Sequence, residues 1–154
     1  MAAKIAPGEG NIQPMTPELR ESFRNARYEV RLPAEAVDLA VDRRCEPLGE
    51  WLRANGYSCA ALMTAHNPAG MQRCDALNTA SQAMLEARLV QGGYTLIQAT
   101  AFDPSGGWPP EPSLFIPGIA QADAMTLASE FGQLAILWSA ADAIPRLVET
   151  GQAR

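Results

Sequence analysis

Hydrophobic and polar positions along the chain follow helical and strand-like periods in turn. Thr16-Pro17-Glu18 is typical of a helix start, with a hydroxyl cap, a proline at the first position and an early carboxylate. Tyr28 to Leu32 alternates apolar and polar residues, and Val37 to Val41 repeats that period, so the two segments predict a hairpin of half-buried strands. The second segment is also compatible with a helical turn.

The longest pattern is helical and runs from Asp75 to Gln91, with apolar residues recurring every three or four positions. Before it, the apolar run from Tyr57 to Thr64 predicts a central strand that is covered on both faces. Asn55-Gly56 separates that run from an earlier helical segment. The remaining predicted strands are 94–102, 113–116 and 134–138, and the remaining predicted helices are 47–54, 121–131 and a weak terminal helix over 141–148.

Helices that alternate with buried strands predict an α/β fold. We expect a single-domain layered fold with a mixed, partly parallel sheet of about five or six strands flanked by helices. The central strand, the long helix and the next strand would form a right-handed crossover. Residues 16–149 are predicted to form the domain, with a flexible N-terminal arm over 1–15 and a frayed C-terminus over 150–154.

Composition narrows the classes of function. The formal charge of −5 argues against a surface for nucleic acid or anionic membrane, because both need clustered cations. No apolar stretch approaches the roughly 20 residues that span a bilayer, and the N-terminus has no signal-peptide core, so we expect a cytoplasmic protein. Three cysteines form no disulfide framework. A protein partner and the oligomeric state stay open.

The apolar run ends in Thr64-Ala-His-Asn-Pro68, the first candidate site. In open α/β sheets, ligands bind beyond the carboxyl ends of the strands, which makes Thr64 and Asn67 candidate ligand-binding residues. Arg73 and the start of the following helix could receive an anion such as phosphate or carboxylate. Alternatively, Asp75 caps its own helix and Arg73 is solvated.

Asn67 precedes a proline, which predicts extended backbone at this residue. Asn78, about one turn into the long helix, should lie near it, and we expect Glu111 in the same concave site. Two carboxamides can orient a ligand through donors and acceptors without charge. They could equally well satisfy backbone groups of the loop, and the sequence does not decide between these roles.

The proline-rich segment from Asp103 to Pro112 supplies the remaining candidates. If this loop folds over the site, Glu111 is the best general acid or base, Trp108 a stacking wall or lid, and Ser113 a neighbouring ligand-binding group. Otherwise Glu111 accepts backbone hydrogen bonds and Trp108 fills the core.

The cysteines and the single histidine suggest two further chemistries. Cys74 precedes a helix start, where a thiolate is favoured, and His66 could deprotonate it. A zinc set of Cys45, Cys59, His66 and Cys74 lacks the paired spacing of known sites, so neither a metal nor a cofactor is predicted.

Several of these residues resemble the marks of a small bacterial single-domain family catalogued as a domain of unknown function. The resemblance covers roughly residues 28 to 140. It consists of Thr-Ala-x-Asn-Pro at 64–68, Asn78, a Trp-Pro-Glu-x-Ser-like turn at 108–113, and Phe-Gly-Gln at 131–133. This chain departs from it with His66, where an aromatic residue is usual, and with an extra proline before Glu111. It implies a shared polar site and no known reaction. Gln133 would join that site only if the last strand runs antiparallel to the central one.

Two functions remain in competition. The first is binding of a small polar ligand, phosphorylated or nucleotide-like in one version, at the C-terminal end of the central strand. Whether such a ligand is also turned over is left open. The second is a non-enzymatic interaction or regulatory module, in which Trp108 and the neighbouring prolines form a partner surface.

Overall fold

The structure, a computed structural model, describes residues 15–152. Over this range, two single 3₁₀ turns lie at Pro68–Gly70 and Thr150–Gln152. Residues 1–14 and 153–154 lie outside the described part, so the predicted arm and frayed end stay predictions. The helices and strands follow one another as α1 (Pro17–Asn25), β1 (Arg27–Arg31), β2 (Ala36–Leu39), α2 (Glu46–Ala54), β3 (Cys59–Met63), α3 (Asp75–Gln91), β4 (Ile97–Phe102), β5 (Glu111–Pro117), α4 (Gln121–Glu130), β6 (Ala135–Ala140) and β7 (Arg146–Glu149).

Seven strands form one curled sheet in the order β2-β1-β4-β5-β3-β6-β7, and every pair is antiparallel. The prediction of a mixed, partly parallel sheet of five or six strands is therefore wrong. Strands β3 and β4, joined through α3, do run in the same direction, but β5 pairs between them. Likewise β5 and β6, joined through α4, have β3 between them. Each crossover encloses a strand of the other, which is the split arrangement of ferredoxin-like folds.

Both faces of this sheet are covered. On one face, Leu85 and Leu89 of α3 and Ala124 and Ala128 of α4 pack on β3, β5 and β6. The other face carries the second core, to which α2 contributes Leu48 and Leu52. Helix α1 buries no residue completely and covers the end of this second face through two half-buried side chains, Leu19 and Phe23. Burial on both sides explains the almost continuous apolar composition of β3 and β5.

Local patterns predicted most elements correctly. The long helix begins and ends where its periodicity indicated, at Asp75 and Gln91. Thr16 caps α1, since its Oγ1 accepts the backbone N–H of Leu19 at 3.2 Å, and β1 and β2 form the predicted hairpin. None of the helices in residues 15–152 has the length and hydropathy needed to cross a membrane.

The predicted terminal helix over 141–148 is wrong. Ala143 has a left-handed φ of 56°, which interrupts any helix there. Pro145 lacks the N–H that a helix interior requires. The chain turns at these residues, and β7 then pairs with β6 at the sheet edge, where Trp138 lies opposite Arg146.

Strand direction decides which segments meet. Because β5 and β6 both run antiparallel to β3, the C-terminal end of β3 and the N-terminal ends of β5 and β6 lie at the same end of the sheet. The segments 64–68, 111–113 and 131–133 are therefore neighbours in space. The candidate site is built at this end.

Candidate functional site

A buried asparagine organises the loop between β3 and α3. The side-chain Oδ1 of Asn78 accepts the backbone N–H of Asn67 at 2.9 Å and Arg73 Nε at 3.2 Å. Its Nδ2 donates to Asn67 Oδ1 at 2.8 Å and to the Arg73 carbonyl at 3.4 Å. The amide therefore uses both donors and two acceptor positions inside the protein, which is the geometry of a structural latch. We call Asn67, Arg73 and Asn78 the loop latch.

Arg73 is turned into the same loop. Its Nη2 donates to Ser81 Oγ at 2.8 Å and to the Ala65 carbonyl at 3.3 Å. Its backbone N–H donates to Asn67 Oδ1 at 2.9 Å. The guanidinium that the sequence offers to an anion is thus engaged by acceptors of the protein.

The backbone of Asn67 differs from the sequence-based expectation. Its φ of 46° and ψ of 63° are left-handed, so the prediction of extended backbone before Pro68 is wrong. Ala69 is also left-handed, with φ 56°. Asparagine tolerates this region better than other residues with a Cβ. Because both conformations cost free energy, the hydrogen bonds of the loop latch are needed to hold them.

The Phe-Gly-Gln segment supports the loop from the other side. At Gly132, φ is 72°, and an added Cβ would lie 2.8 Å from Pro68 Cβ. The Ala69 N–H donates to the Gly132 carbonyl at 2.8 Å. Gln133, buried, donates from Nε2 to the His66 carbonyl at 2.9 Å. The antiparallel direction of β6 thus settles the question left open by the sequence, and Gln133 lies at the site.

Thr64, His66 and Gln82 form a second polar cluster beside the latch. Thr64 Oγ1 donates to the Pro112 carbonyl at 2.8 Å, which ties β3 to the start of β5. Gln82 Oε1 accepts the Ala65 N–H at 2.8 Å and lies 3.4 Å from His66 Nδ1. Burial lowers the pKa of His66, opposed by the Gln82 hydrogen bond, and the charge of Arg73 lowers it further. The imidazole is therefore neutral at pH 7.

A cavity of about 170 Å³ lies between α1 and the sheet, next to these clusters. We call it the α1 cavity. Most of its wall is apolar, and its polar side chains gather at the end where β3, β5 and β6 meet. The lining residues used below are Leu19, Phe23, Tyr28, Asn67, Ala101, Trp108, Glu111 and Ser113.

Glu111 is the ionisable carboxyl group of this cavity. The strand register places Tyr28, Ala101 and Glu111 side by side on β1, β4 and β5. Desolvation by burial raises the pKa of Glu111 to about 7, and the hydrogen bond from Asn67 opposes this shift. Asn67 Nδ2 donates to Glu111 Oε2 at 3.2 Å. Among the described residues, no Lys or Arg forms an ion pair with this carboxylate.

Two aromatic residues connect the cavity wall to α1. The Tyr28 hydroxyl donates to the Phe23 carbonyl at 2.8 Å, and Trp108 Nε1 donates to Ser22 Oγ at 3.1 Å. Burial raises the pKa of Tyr28, and the charge of Glu111 adds to that shift, so the phenol stays protonated. Trp108 is half-buried and packs against the core of this face. It covers the cavity together with α1.

The segments that meet here are those that carried the family resemblance. Residues 63–136 match the family model described as Protein of unknown function (DUF3293). The recognition of a family of unknown function is thereby confirmed. The DUF3293 match runs from the end of β3 to the start of β6 and so contains the loop latch and Glu111. Neither curated proteins nor solved structures yield a match to the chain.

The predicted site residues separate into two groups. Thr64, Asn67, Trp108, Glu111 and Ser113 line the α1 cavity. In contrast, Arg73 and Asn78 lie outside it and border a second, more open cleft, where they meet Asn67 and Glu111 from the other side. The expected convergence of Asn67, Asn78 and Glu111 occurs in that outer cleft.

Sequence reasoning missed three contributors. Tyr28 was assigned to a strand, and the sheet order brings it beside Glu111, while Phe23 reaches the same cavity from α1. Gln82, a buried glutamine of α3, was not singled out by the sequence pattern. A buried amide on an amphipathic helix is hard to detect, because the same letter is common on exposed faces.

The cysteine hypotheses gain no geometric support. Cys74 is exposed at the start of α3, and the His66 ring contacts Thr64 and Gln82. Cys59 is half-buried, and its Sγ lies 3.2 Å from the Ile119 carbonyl. Within residues 15–152, no group of three or more His, Cys, Asp or Glu side chains is arranged to hold a metal ion.

Proposed function

We propose that the protein binds a small molecule in the α1 cavity and that Glu111 is the polar group the ligand meets. The observation that carries this proposal is a half-buried carboxyl group at the end of an open, mostly apolar cavity with no cation paired to it in the described chain. Burying a carboxyl group without an ion-pair partner is unfavourable, and such groups concentrate at functional sites.

The size of the cavity limits the ligand. At about 170 Å³, it resembles an engineered apolar cavity of about 150 Å³ in another protein that takes up benzene. A ligand part of about that size would fill it. A hydrogen-bonding head would face Glu111, Asn67 and Ser113, and larger substituents would extend past α1.

Charge argues against a phosphorylated or nucleotide-like ligand at this place. The described residues that line the α1 cavity include no Lys or Arg. Arg73, the cation proposed for an anion, bonds Ser81 and Ala65 instead. Since phosphate recognition depends on cations or on free backbone N–H groups, the proposal favours a neutral or cationic head.

Glu111 is also suited to acid–base chemistry. A carboxyl group with a pKa of about 7 exchanges its proton near neutral pH, which is the range in which a general acid or base is most effective. If a bound ligand is turned over, Glu111 would donate or accept the proton. The alternative of a docking surface has weaker support, because Trp108 is half-buried and hydrogen-bonded to Ser22.

The test compares four probes that share a phenyl ring: benzyl alcohol, benzylammonium, benzoate and phenyl phosphate. We expect the first two to raise the thermal unfolding midpoint. A ligand present at 100 times its dissociation constant adds about 2.7 kcal/mol to the unfolding free energy. Benzoate and phenyl phosphate should have no effect, because a second anion would lie beside Glu111.

A matched pair of variants locates the binding. Leu19→Trp adds bulk to the wall of the cavity and should remove the shifts. Leu77→Trp makes the same change at an exposed position of α3, 55% accessible, and should keep them. Shifts that persist in Leu19→Trp would contradict the proposed place, and no shift with any of the four probes would contradict the proposed function.

A further inference from the structure

Three aromatic rings line the α1 cavity: Phe23 from α1, Tyr28 from β1 and Trp108 from the loop before β5. The polar atoms of two of them are already engaged, since the Tyr28 hydroxyl donates to the Phe23 carbonyl and Trp108 Nε1 to Ser22 Oγ. What these residues offer to a ligand is therefore hydrocarbon and π surface.

Among the described residues that line the cavity, charged side chains are acidic. Glu111 is negative when ionised, and the described lining residues contain no Lys or Arg. The other titratable groups beside it are Tyr28 and His66, which both stay neutral near pH 7. On the outer side, Arg73 and Asp75 border the second cleft and do not line the cavity. An ionised Glu111 thus has no compensating charge among the described residues of the cavity wall.

We infer that the ligand of the α1 cavity is an organic cation, an alkylated ammonium whose charge meets Glu111 while its methyl groups contact Phe23, Tyr28 and Trp108. This inference rests on the proposed function and names the class of ligand. Aromatic rings attract cations through the negative potential of their faces, and quaternary ammonium groups are bound in this way. A carboxylate supplies the opposite charge that makes desolvation of the cation affordable.

An alkylated ammonium fits the polar groups better than a primary amine does. A primary ammonium brings three donors that need acceptors, whereas the described cavity wall offers one carboxylate, whose Oε2 already accepts from Asn67. A trimethylammonium group spreads its charge over carbon and needs no directed hydrogen bond. The aromatic rings and the Glu111 carboxylate suit a cation whose charge is spread over its methyl groups.

The experiment measures binding of choline and of its neutral isostere, 3,3-dimethyl-1-butanol, by calorimetric titration at pH 8. The unmodified protein should bind choline at least tenfold more tightly than the neutral compound. Glu111→Gln should abolish this preference, while Glu50→Gln, which removes the same charge from an exposed position on α2, should retain it. Phe23→Leu keeps an apolar side chain and should weaken choline binding severalfold without changing the neutral compound.

The outcomes separate the two proposals. If the neutral compound binds as tightly as choline and Leu19→Trp abolishes both, the cavity is a ligand site and the cation inference is wrong. Equal choline binding by the wild type and Glu111→Gln would also overturn the inference. If choline, its isostere and the phenyl probes all fail to bind, the proposed function fails, and the inference fails with it.

Discussion

The loop latch and the α1 cavity lie on either side of Asn67, and they use polar side chains in opposite ways. In the latch, Asn78 has its donors and acceptors engaged by Asn67 and Arg73. In the cavity, the Glu111 carboxylate accepts a side-chain hydrogen bond from Asn67, and burial raises the pKa of Glu111 to about 7. Asn78 therefore holds the loop in place, whereas the Glu111 carboxyl group is available to bind a ligand or to transfer a proton. Substitutions on the two sides should therefore have different consequences.

The largest loss of stability is expected for Asn78→Ala. The change leaves the Asn67 N–H and one guanidinium nitrogen of Arg73 without acceptors in a partly buried loop. With each unsatisfied group costing about 1–3 kcal/mol, the unfolding free energy should fall by roughly 3 kcal/mol. Chemical denaturation of the variant measures this loss. Thr79→Ala, at the next, exposed position of α3, serves as the control and should change little.

If the Asn78→Ala protein were as stable as Thr79→Ala, the proposal that Asn78 stabilises the loop would be wrong. Asn78 would then be free to bind a ligand, as the sequence alone also allowed. Intact stability together with a lost thermal shift for benzyl alcohol would support that binding role.

Gly132→Ala should lower the unfolding free energy by about 2 kcal/mol, because the backbone is left-handed there and the added Cβ would lie close to Pro68. Gly56→Ala is the matched control, because its φ of 75° carries the same backbone cost and no atom lies within 4 Å of the added Cβ. Denaturation of both variants isolates the contact with Pro68. Equal losses would show that the loop yields easily and that its position does not depend on the Phe-Gly-Gln segment.

Glu111→Gln is expected to have a smaller effect, and at neutral pH it should increase the free energy of unfolding. The folded-state pKa of Glu111 is raised to about 7 from an ordinary 4.5, so the folded protein holds a proton that the unfolded chain has released. The unfolding free energy of the wild type should therefore fall relative to that of Glu111→Gln as pH rises from about 4.5 to 7. Above pH 7 the difference between the two proteins should stay constant. We expect a relative change on the order of 1–2 kcal/mol, allowing for partial exposure.

Denaturation curves of both proteins at a series of pH values check this prediction. The difference between them cancels the contribution of His66, whose lowered pKa acts in the opposite direction. The lowered pKa values of Asp103, Asp142 and Glu149 affect stability at more acidic pH. Curves that stay parallel from pH 4.5 to 8 would mean that Glu111 is not desolvated.

Much of the fold could be predicted because local patterns are strong. Periodicity predicted the bounds of α3 and the β1–β2 hairpin, and the Thr-Pro-Glu sequence predicted the cap of α1. Strand order could not be derived in the same way, because a helix between two strands fixes their direction and leaves open whether a third strand pairs between them. That insertion of β5 between β3 and β4 made the sheet antiparallel throughout.

Several residues of the candidate site could be singled out from the sequence, but their arrangement could not. Thr64, Asn67 and Glu111 stand out as polar residues at strand ends, and the structure brings them to one cavity. The roles of Asn67 and Asn78 depended on a left-handed backbone that the rule for residues before proline disfavours. Tertiary hydrogen bonds override that local preference here. Trp108 was predicted as a wall of the site, whereas the positions of Tyr28 and Phe23 beside it could not be derived from spacing.

The most direct measurement is the titration of the Glu111 carboxyl group by carbon NMR in protein labelled at glutamate side chains. Glu111→Gln identifies the resonance, since that signal disappears in the variant. We predict a titration midpoint near pH 7, because the carboxyl group lies half-buried at the end of the α1 cavity and no cation of residues 15–152 is paired with it. A midpoint close to the ordinary value of 4.5 would contradict it, since Glu111 would then be solvated or paired.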